Sequence, residues 1–408
     1  MNFFMKILHC IHLEIPGGKE THLYRCLKFG LEKGDLWEHD ILHTGDRINE
    51  KFGTFFQDHF HVYEYKTWRG IKIPKFLRSY LVKKNIDFSH DVNLFYEIQD
   101  MSLMNLFATY AKGKNVFYDR GHSWFLNAEE SQYLSKFDFF FSNSRASKTM
   151  LNKRWSVPED RIKVIHNSLP LDYLEHIDRI GDSELAELRK RFNLNGKKVI
   201  LFLGRLETIK GAHTLIEALD YLPGTDIKLI LVGDGKTRKT LEALVKAKKE
   251  ENRVIFTGMQ TDTAPFYRIA DVTVVPSARE SFGNVNLEAA LAGSPIIASK
   301  IDGIPEIITN DSFGYLLKPK IEPSRYSYLD KSSMHDYGVD PDTMELMKPK
   351  FLDPKELADT IALVLEREPE AAKEKAKNLK QRVIKEFSME KREQRFRELI
   401  EEITRHKY

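Results

Sequence analysis

Two glutamates, Glu280 and Glu288, bracket the turn Ser281-Phe282-Gly283 within the stretch Ser277 to Glu288. The apolar run Ala270 to Pro276 reads as a short buried strand and Val285 to Ala292 as a helix, which puts Glu280 in a loop and Glu288 on the helix. Backbone N–H groups at a helix start have no intrahelical partner and favour an anion. Gly283 frees the backbone there, and Ser281, Phe282, Gly283 and Asn284 line the turn. A carboxylate on each side accepts hydrogen bonds from hydroxyls, so the matching ligand chemistry is a phosphate flanked by two polyols, as in a nucleotide sugar. The alternative is a loop carboxylate and a solvated helix glutamate paired with a lysine. That fits poorly with Glu288 set among Val285, Leu287, Ala289, Ala290 and Leu291, where an unpartnered carboxylate would be costly.

Other segments carry compatible chemistry. Gly204-Arg-Leu-Glu-Thr-Ile-Lys-Gly211 follows the apolar run ending at Leu203, so Arg205 and Lys210 fall at a strand's carboxyl edge and can neutralise a diphosphate. Gly17 and Gly18 follow the first strand and open a helix, while Gly233 lies in the turn Val232-Gly-Asp-Gly235. The first is neither a Gly-x-Gly-x-x-Gly fingerprint nor a P-loop and is a weak signal alone, and at the second a tight turn fits at least as well as ligand contact. The loop after Phe117 gathers Asp119, Arg120 and His122 around Gly121, groups able to bind a hydroxylated acceptor and move a proton. Residues 66–84 interleave Lys75, Lys83 and Lys84 with Phe76, Leu77 and Tyr80 and contain no acid. This basic-aromatic segment reads as a peripheral contact with anionic lipid or a grip on a phosphorylated acceptor, and equally as a helix with a solvated basic face. Asp340-Pro-Asp342 sits in irregular sequence with no strand before it and is read as a decoy; no metal is expected.

These groups need a scaffold of strands and helices, and the chain has the length for it. Its 408 residues suit two domains, and 42% hydrophobic with 30% charged residues is a globular composition. Lys plus Arg 63 against Asp plus Glu 60 leaves +3, too even for a nucleic-acid partner. Cys10 and Cys26 make no disulfide framework, and no apolar run reaches about 18 residues, so a cytoplasmic setting is expected, with the inner membrane face open. The apolar start of the chain lacks a basic leader and cleavage site and reads as a strand, not a signal peptide.

Short apolar runs alternate with helical patterns in both halves, predicting an α/β chain of two doubly wound Rossmann-like domains facing across a cleft. Strands are expected at Lys6 to Ile11, around Val92 to Tyr96, and at Val116 to Tyr118, Phe137 to Ser142 and Ile162 to Ile165. In the second half they are expected at Lys198 to Leu203, Lys228 to Val232, Val254 to Thr257, Val272 to Val275 and Pro295 to Ser299. The domains are drawn at 1–175 (acceptor-binding) and 196–385 (nucleotide-sugar-binding), joined by a linker at 176–195. A C-terminal helix at 386–408 is read as able to cross back to the first domain. Residues 320–354 break the rhythm and read as an inserted loop whose length suggests a lid or partner contact.

The second half, from Val199 to about Pro319, resembles glycosyltransferase family 4, retaining enzymes of the GT-B fold. The resemblance is carried by Gly204-Arg205 with Lys210-Gly211, Val232-Gly-Asp-Gly235, Phe256-Thr-Gly258, the Glu280 to Glu288 region, Gly293, Pro295 and Gly303-Ile-Pro-Glu306. It implies that Arg205 and Lys210 grip the donor diphosphate, Glu280 holds the transferred sugar and Glu288 the ribose. Ser281, Phe282 and Gly283 would offer N–H groups to phosphate, and Met259 would lie by the base. In the first half, Gly17 and Gly18 match the family's glycine loop and His122 its histidine. The donor would be a nucleotide-diphosphate sugar acting as co-substrate, the acceptor a glycan or glycolipid, with no permanently bound cofactor. A fainter resemblance is to bacterial lipopolysaccharide-core sugar transferases. A GT-B phosphorylase, a nucleotide-sugar epimerase and a catalytically silent scaffold are the competing readings.

Overall fold

The computed structural model describes residues 4–405 other than 15, 16, 69, 70, 99, 100, 223, 225, 333 and 335. Residues 69 and 70 of the basic-aromatic segment therefore lie outside the described residues. Contacts divide the chain into two units, Met1–Asn167 with Met389–Tyr408, and Ser168–Ser388.

The first unit is built on seven parallel strands: β1 (Lys6–Ile11), β2 (Glu38–His43), β3 (His61–Glu64), β4 (Val92–Phe95), β5 (Lys114–Asp119), β6 (Phe139–Ser142) and β7 (Ile162–Val164), in the order β3-β2-β1-β4-β5-β6-β7. Alternation along β1 fills both faces: Ile7 and Ile11 join one apolar cluster, Leu8 and Cys10 the other. Helix α1 (Gly18–Glu32) follows β1, and α2 (Lys75–Asn85) takes in the second half of the basic-aromatic segment. The C-terminal helix Met389–Arg405 contributes Phe396, Leu399, Ile400 and Ile403 to the cluster holding Ile7 and Trp37.

The strands β2 and β3 are absent from the sequence reading. Glu38, His39 and Asp40 hide β2, yet inside the unit each finds a partner from another part of the chain, Glu38 with Lys6 at 3.2 Å. Asp40 accepts from His90 at 2.8 Å, and the His39 ring lies 3.0 Å from His9.

The second unit carries six parallel strands: β8 (Lys198–Leu203), β9 (Ile227–Val232), β10 (Val254–Gly258), β11 (Val272–Val275), β12 (Ile296–Ser299) and β13 (Tyr315–Leu317), ordered β10-β9-β8-β11-β12-β13. Here too the two faces are apolar, with Val199 and Leu201 on one side and Ile200 and Phe202 on the other. Residues 176–195, expected as a linker, instead continue α3 (Leu171–Arg179) and form α4 (Asp182–Arg191). Their scattered Leu174, Ile177, Leu185 and Leu188 recur at helical spacing and pack on the second unit's core.

The insertion at 320–354 holds a two-stranded ladder, Gly338–Val339 against Leu346–Met347, and a small core of its own. Tyr326, Leu329 and Phe351 are buried with Ile209 and Ala278, so the insertion leans on the loops that follow β8 and β11.

Candidate functional site

Strand order reverses in the second unit between β8 and β11, which pair directly through Ile200 with Val272 and Leu201 with Thr273. Carboxyl ends at such a reversal diverge into a crevice, the usual ligand site of an open α/β sheet. The Gly204–Gly211 loop leaves β8 and the loop bearing Glu280 leaves β11, so the two sequence motifs emerge side by side.

Backbone contacts draw these loops together. Gly211 has φ +74° and a Cβ on it would lie 2.1 Å from the Pro276 carbonyl oxygen, a clash that only glycine avoids. Two residues earlier, the Ile209 carbonyl accepts the Ala278 N–H at 2.8 Å. The seam sets Lys210 beside Glu280, with Nζ 2.5 Å from Oε2 and side chains only 21% and 16% exposed. Arg205 lies nearer solvent, 66% exposed, and donates to Glu207 at 2.8 Å. On the other flank Gly233 sits under the Gly204 carbonyl, where a Cβ would come within 2.0 Å of its oxygen.

Gly283, with φ +95°, is the N-cap of α5 (Asn284–Leu291). Phe282 is fully buried, its ring 5.7 Å from that of Phe387, so it anchors the turn and can offer a ligand only its backbone. Ser281 and Asn284 are half-buried. Glu288 is half-buried on α5 and accepts a hydrogen bond from Tyr267 at 3.0 Å. Burial first, and the Glu288 charge second, push the Tyr267 hydroxyl well above its usual pKa, keeping it a donor to that carboxylate. Met259, just past β10, is 80% exposed.

One residue in this region escaped the sequence reading. Asp302 is buried, adopts φ +47° and accepts the backbone N–H of Glu280 at 2.8 Å. Its only sequence signal was an Asp-Gly pair, a turn-forming dipeptide tolerant of left-handed backbone.

In the first unit, Asp119 at the end of β5 is fully buried. One of its oxygens accepts from Gly121 and Ser123, both at 3.0 Å, and the other from the Ser147 hydroxyl at 2.5 Å, which makes Asp119 the staple of its own turn. Arg120 lies over the Tyr118 ring at 5.6 Å. Buried atoms Arg120 Nη1 and His122 Nε2 have no hydrogen-bond partner among the described residues. Burial lowers the His122 pKa, partly offset by Asp119 and Glu130, so the ring is neutral at neutral pH. Gly17 caps α1, and a Cβ on it would lie 2.7 Å from the buried Glu20 carboxylate, while the corresponding position at Gly18 is open.

Asp340 caps its own turn through Asp342 and Thr343, and Asp342 pairs with Lys300 at 2.6 Å. Among the described residues no group of three His, Cys, Asp or Glu side chains is arranged to hold a metal ion.

Residues 185–336, which include both loops of the second-unit site, match the family model for glycosyl transferases group 1. The fold is that of GT-B glycosyltransferases. HepE of Anabaena, solved with UDP-glucose, superposes with a TM-score of 0.74 at 21% identity, covering 98% of this chain and all of its own. An uncharacterized glycosyltransferase of Methanocaldococcus jannaschii is 34% identical over 213 residues, 51% of this chain and 54% of that protein. The lipopolysaccharide core biosynthesis glycosyltransferase LpsE of Rhizobium meliloti is 42% identical over 105 residues, 26% of this chain and 30% of that protein. The chain thus spans about half or less of the length of these curated relatives.

Proposed function

We propose that the protein is a retaining, family 4 glycosyltransferase that moves a sugar from a nucleotide-diphosphate sugar to a hydroxyl acceptor in bacterial lipopolysaccharide or other envelope glycan synthesis. The observation that carries this reading is the Lys210–Glu280 pair at the reversal of the second sheet, beside the glycine-capped start of α5. Relatives named as glycosyltransferases across this half support it, and LpsE supports the envelope-glycan setting.

In this reading Arg205 and Lys210 neutralise the donor diphosphate, and the turn Ser281-Phe282-Gly283 gives N–H groups to a phosphate. Glu280 accepts from the transferred sugar's hydroxyls, and Glu288 from the ribose. As the bond to the diphosphate breaks, charge grows on the leaving oxygen, and cations already in place stabilise it without reorganising. The leaving phosphate takes the acceptor proton while the hydroxyl attacks from the same face, so the configuration is kept and no protein nucleophile is required. Arg120 and His122 offer unsatisfied polar atoms to the acceptor.

The test is a thermal-shift screen of nucleotide sugars, followed by transfer assays and NMR of the product anomer. Retained configuration that depends on an acceptor, with turnover unaffected by a chelator, is expected. A nucleotide-sugar epimer formed without acceptor, or phosphorolysis, would reject the reading.

A further inference from the structure

The backbone of Glu280 is held on both sides by one dipeptide. Its N–H donates to Asp302 Oδ2 at 2.8 Å, and its carbonyl accepts the Gly303 N–H at 3.2 Å. Asp302 in turn is gripped by the insertion. The Val339 N–H donates to Asp302 Oδ1 at 2.6 Å, and the Asp302 N–H donates to the Val339 carbonyl at 3.0 Å. The packing leaves little slack: a Cβ on Gly303 would fall 2.2 Å from the Ser281 carbonyl oxygen, and one on Gly338 would fall 3.3 Å from Asp302 Oδ1. Asp302 is 2% exposed and sits at φ +47°, a left-handed conformation that side chains other than glycine adopt at a cost unless their surroundings hold them there. A second tie joins the insertion to the other loop, since the Thr208 hydroxyl donates to the Asp330 carbonyl.

We propose that Asp302 is a positioning residue that uses both carboxylate oxygens to fasten the Glu280 backbone to the 320–354 insertion, making the insertion a fixed strut that aims Glu280 at the transferred sugar. The inference rests on Glu280 being the sugar contact.

The geometry puts one N–H donor on each oxygen of a buried side chain, an arrangement matched by an ionised carboxylate, which accepts at both oxygens and donates at neither. An asparagine of the same shape turns an N–H₂ toward one of the two N–H donors, leaving a buried donor facing a donor. Protonation of Asp302 does the same with an O–H. Desolvation raises its pKa to about 7; the two N–H donors and Arg279 oppose the rise and the Glu280 charge adds to it. The clamp is therefore complete above about pH 7 and weakens as pH falls through that value.

The experiment compares wild type with Asp302→Asn, Val339→Pro and Glu280→Ala, measuring kcat and KM for the nucleotide sugar and calorimetric affinity for the nucleoside diphosphate alone. Wild type is expected to show a kcat step near pH 7, and Asp302→Asn to lower kcat by ~10-fold or more, change diphosphate affinity less than ~3-fold, and lack that step. Val339→Pro, which removes the insertion's N–H donor to Asp302 Oδ1 together with the buried valine side chain, should share the kcat loss while unfolding measurements check that the insertion stays folded. Wild-type kcat in Asp302→Asn, or equal losses of kcat and diphosphate affinity, would overturn the proposal. A fully active Glu280→Ala would instead remove the sugar-site reading beneath it.

Discussion

At the residue scale, the candidate site joins side chains that the sequence reading proposed to backbone contacts that the sequence concealed. Glu280, Lys210 and Arg205 were legible because acids and bases in glycine-punctuated segments after strands are a chemical pattern. Their pairing was not, because it depends on Gly211 fitting beneath the Pro276 carbonyl. Gly211→Ala is expected to add about 1–3 kcal/mol of backbone strain and a steric overlap, separating Lys210 from Glu280; denaturant unfolding should show the lost stability, and nucleoside-diphosphate titration the weakened site. Asp302 stayed hidden for a different reason. A buried acid beside a glycine is indistinguishable from a turn aspartate until the donors around it are placed.

At the scale of elements, the strands with continuous apolar runs were readable, while β2 was masked by polar residues whose partners come from distant sequence and β3 is a short edge strand with no fully buried residue. The insertion was read from its broken rhythm, yet its docking on the loops after β8 and β11 needed the fold. His213 sits in that docking surface, 1% exposed, with its ring 4.6 Å from Tyr326 and 4.5 Å from Phe351. Burial pushes its pKa from 6.5 down to about 3. The unfolded chain binds a proton there before the folded one does, so the contribution of His213 to stability is whole above pH 6.5 and declines as pH falls toward 3, by at most ~1.4 kcal/mol per pH unit. Denaturation midpoints measured at pH 7.5 and 5 should differ less in His213→Phe than in wild type. A second element, α2, exposes Phe76 (82%) and Tyr80 (63%) together with Lys75, Lys83 and Lys84. If this face meets an anionic membrane, wild type will sediment with phosphatidylglycerol vesicles but not phosphatidylcholine vesicles, and Phe76→Ser with Tyr80→Ser will reduce that binding. Equal sedimentation with both lipids, or no effect of the double variant, would leave α2 as an ordinary solvated helix.

For the whole molecule, the βα rhythm of the sequence was enough to place the chain among doubly wound folds, because parallel strands buried on both faces leave a strong apolar signature. The order of those strands was not readable, and with it went the reason the site lies where it does: β8 and β11 become neighbours only through crossovers in opposite directions. At that reversal the proposed donor site has Lys210 and Glu280 act on different parts of one ligand. The most direct test is donor turnover by Glu280→Ala and Lys210→Ala, with nucleoside-diphosphate affinity measured in parallel. Both variants should lose ~100-fold or more in kcat, with Lys210→Ala also weakening diphosphate binding and Glu280→Ala leaving it near wild type. Undiminished turnover in both variants would contradict the account.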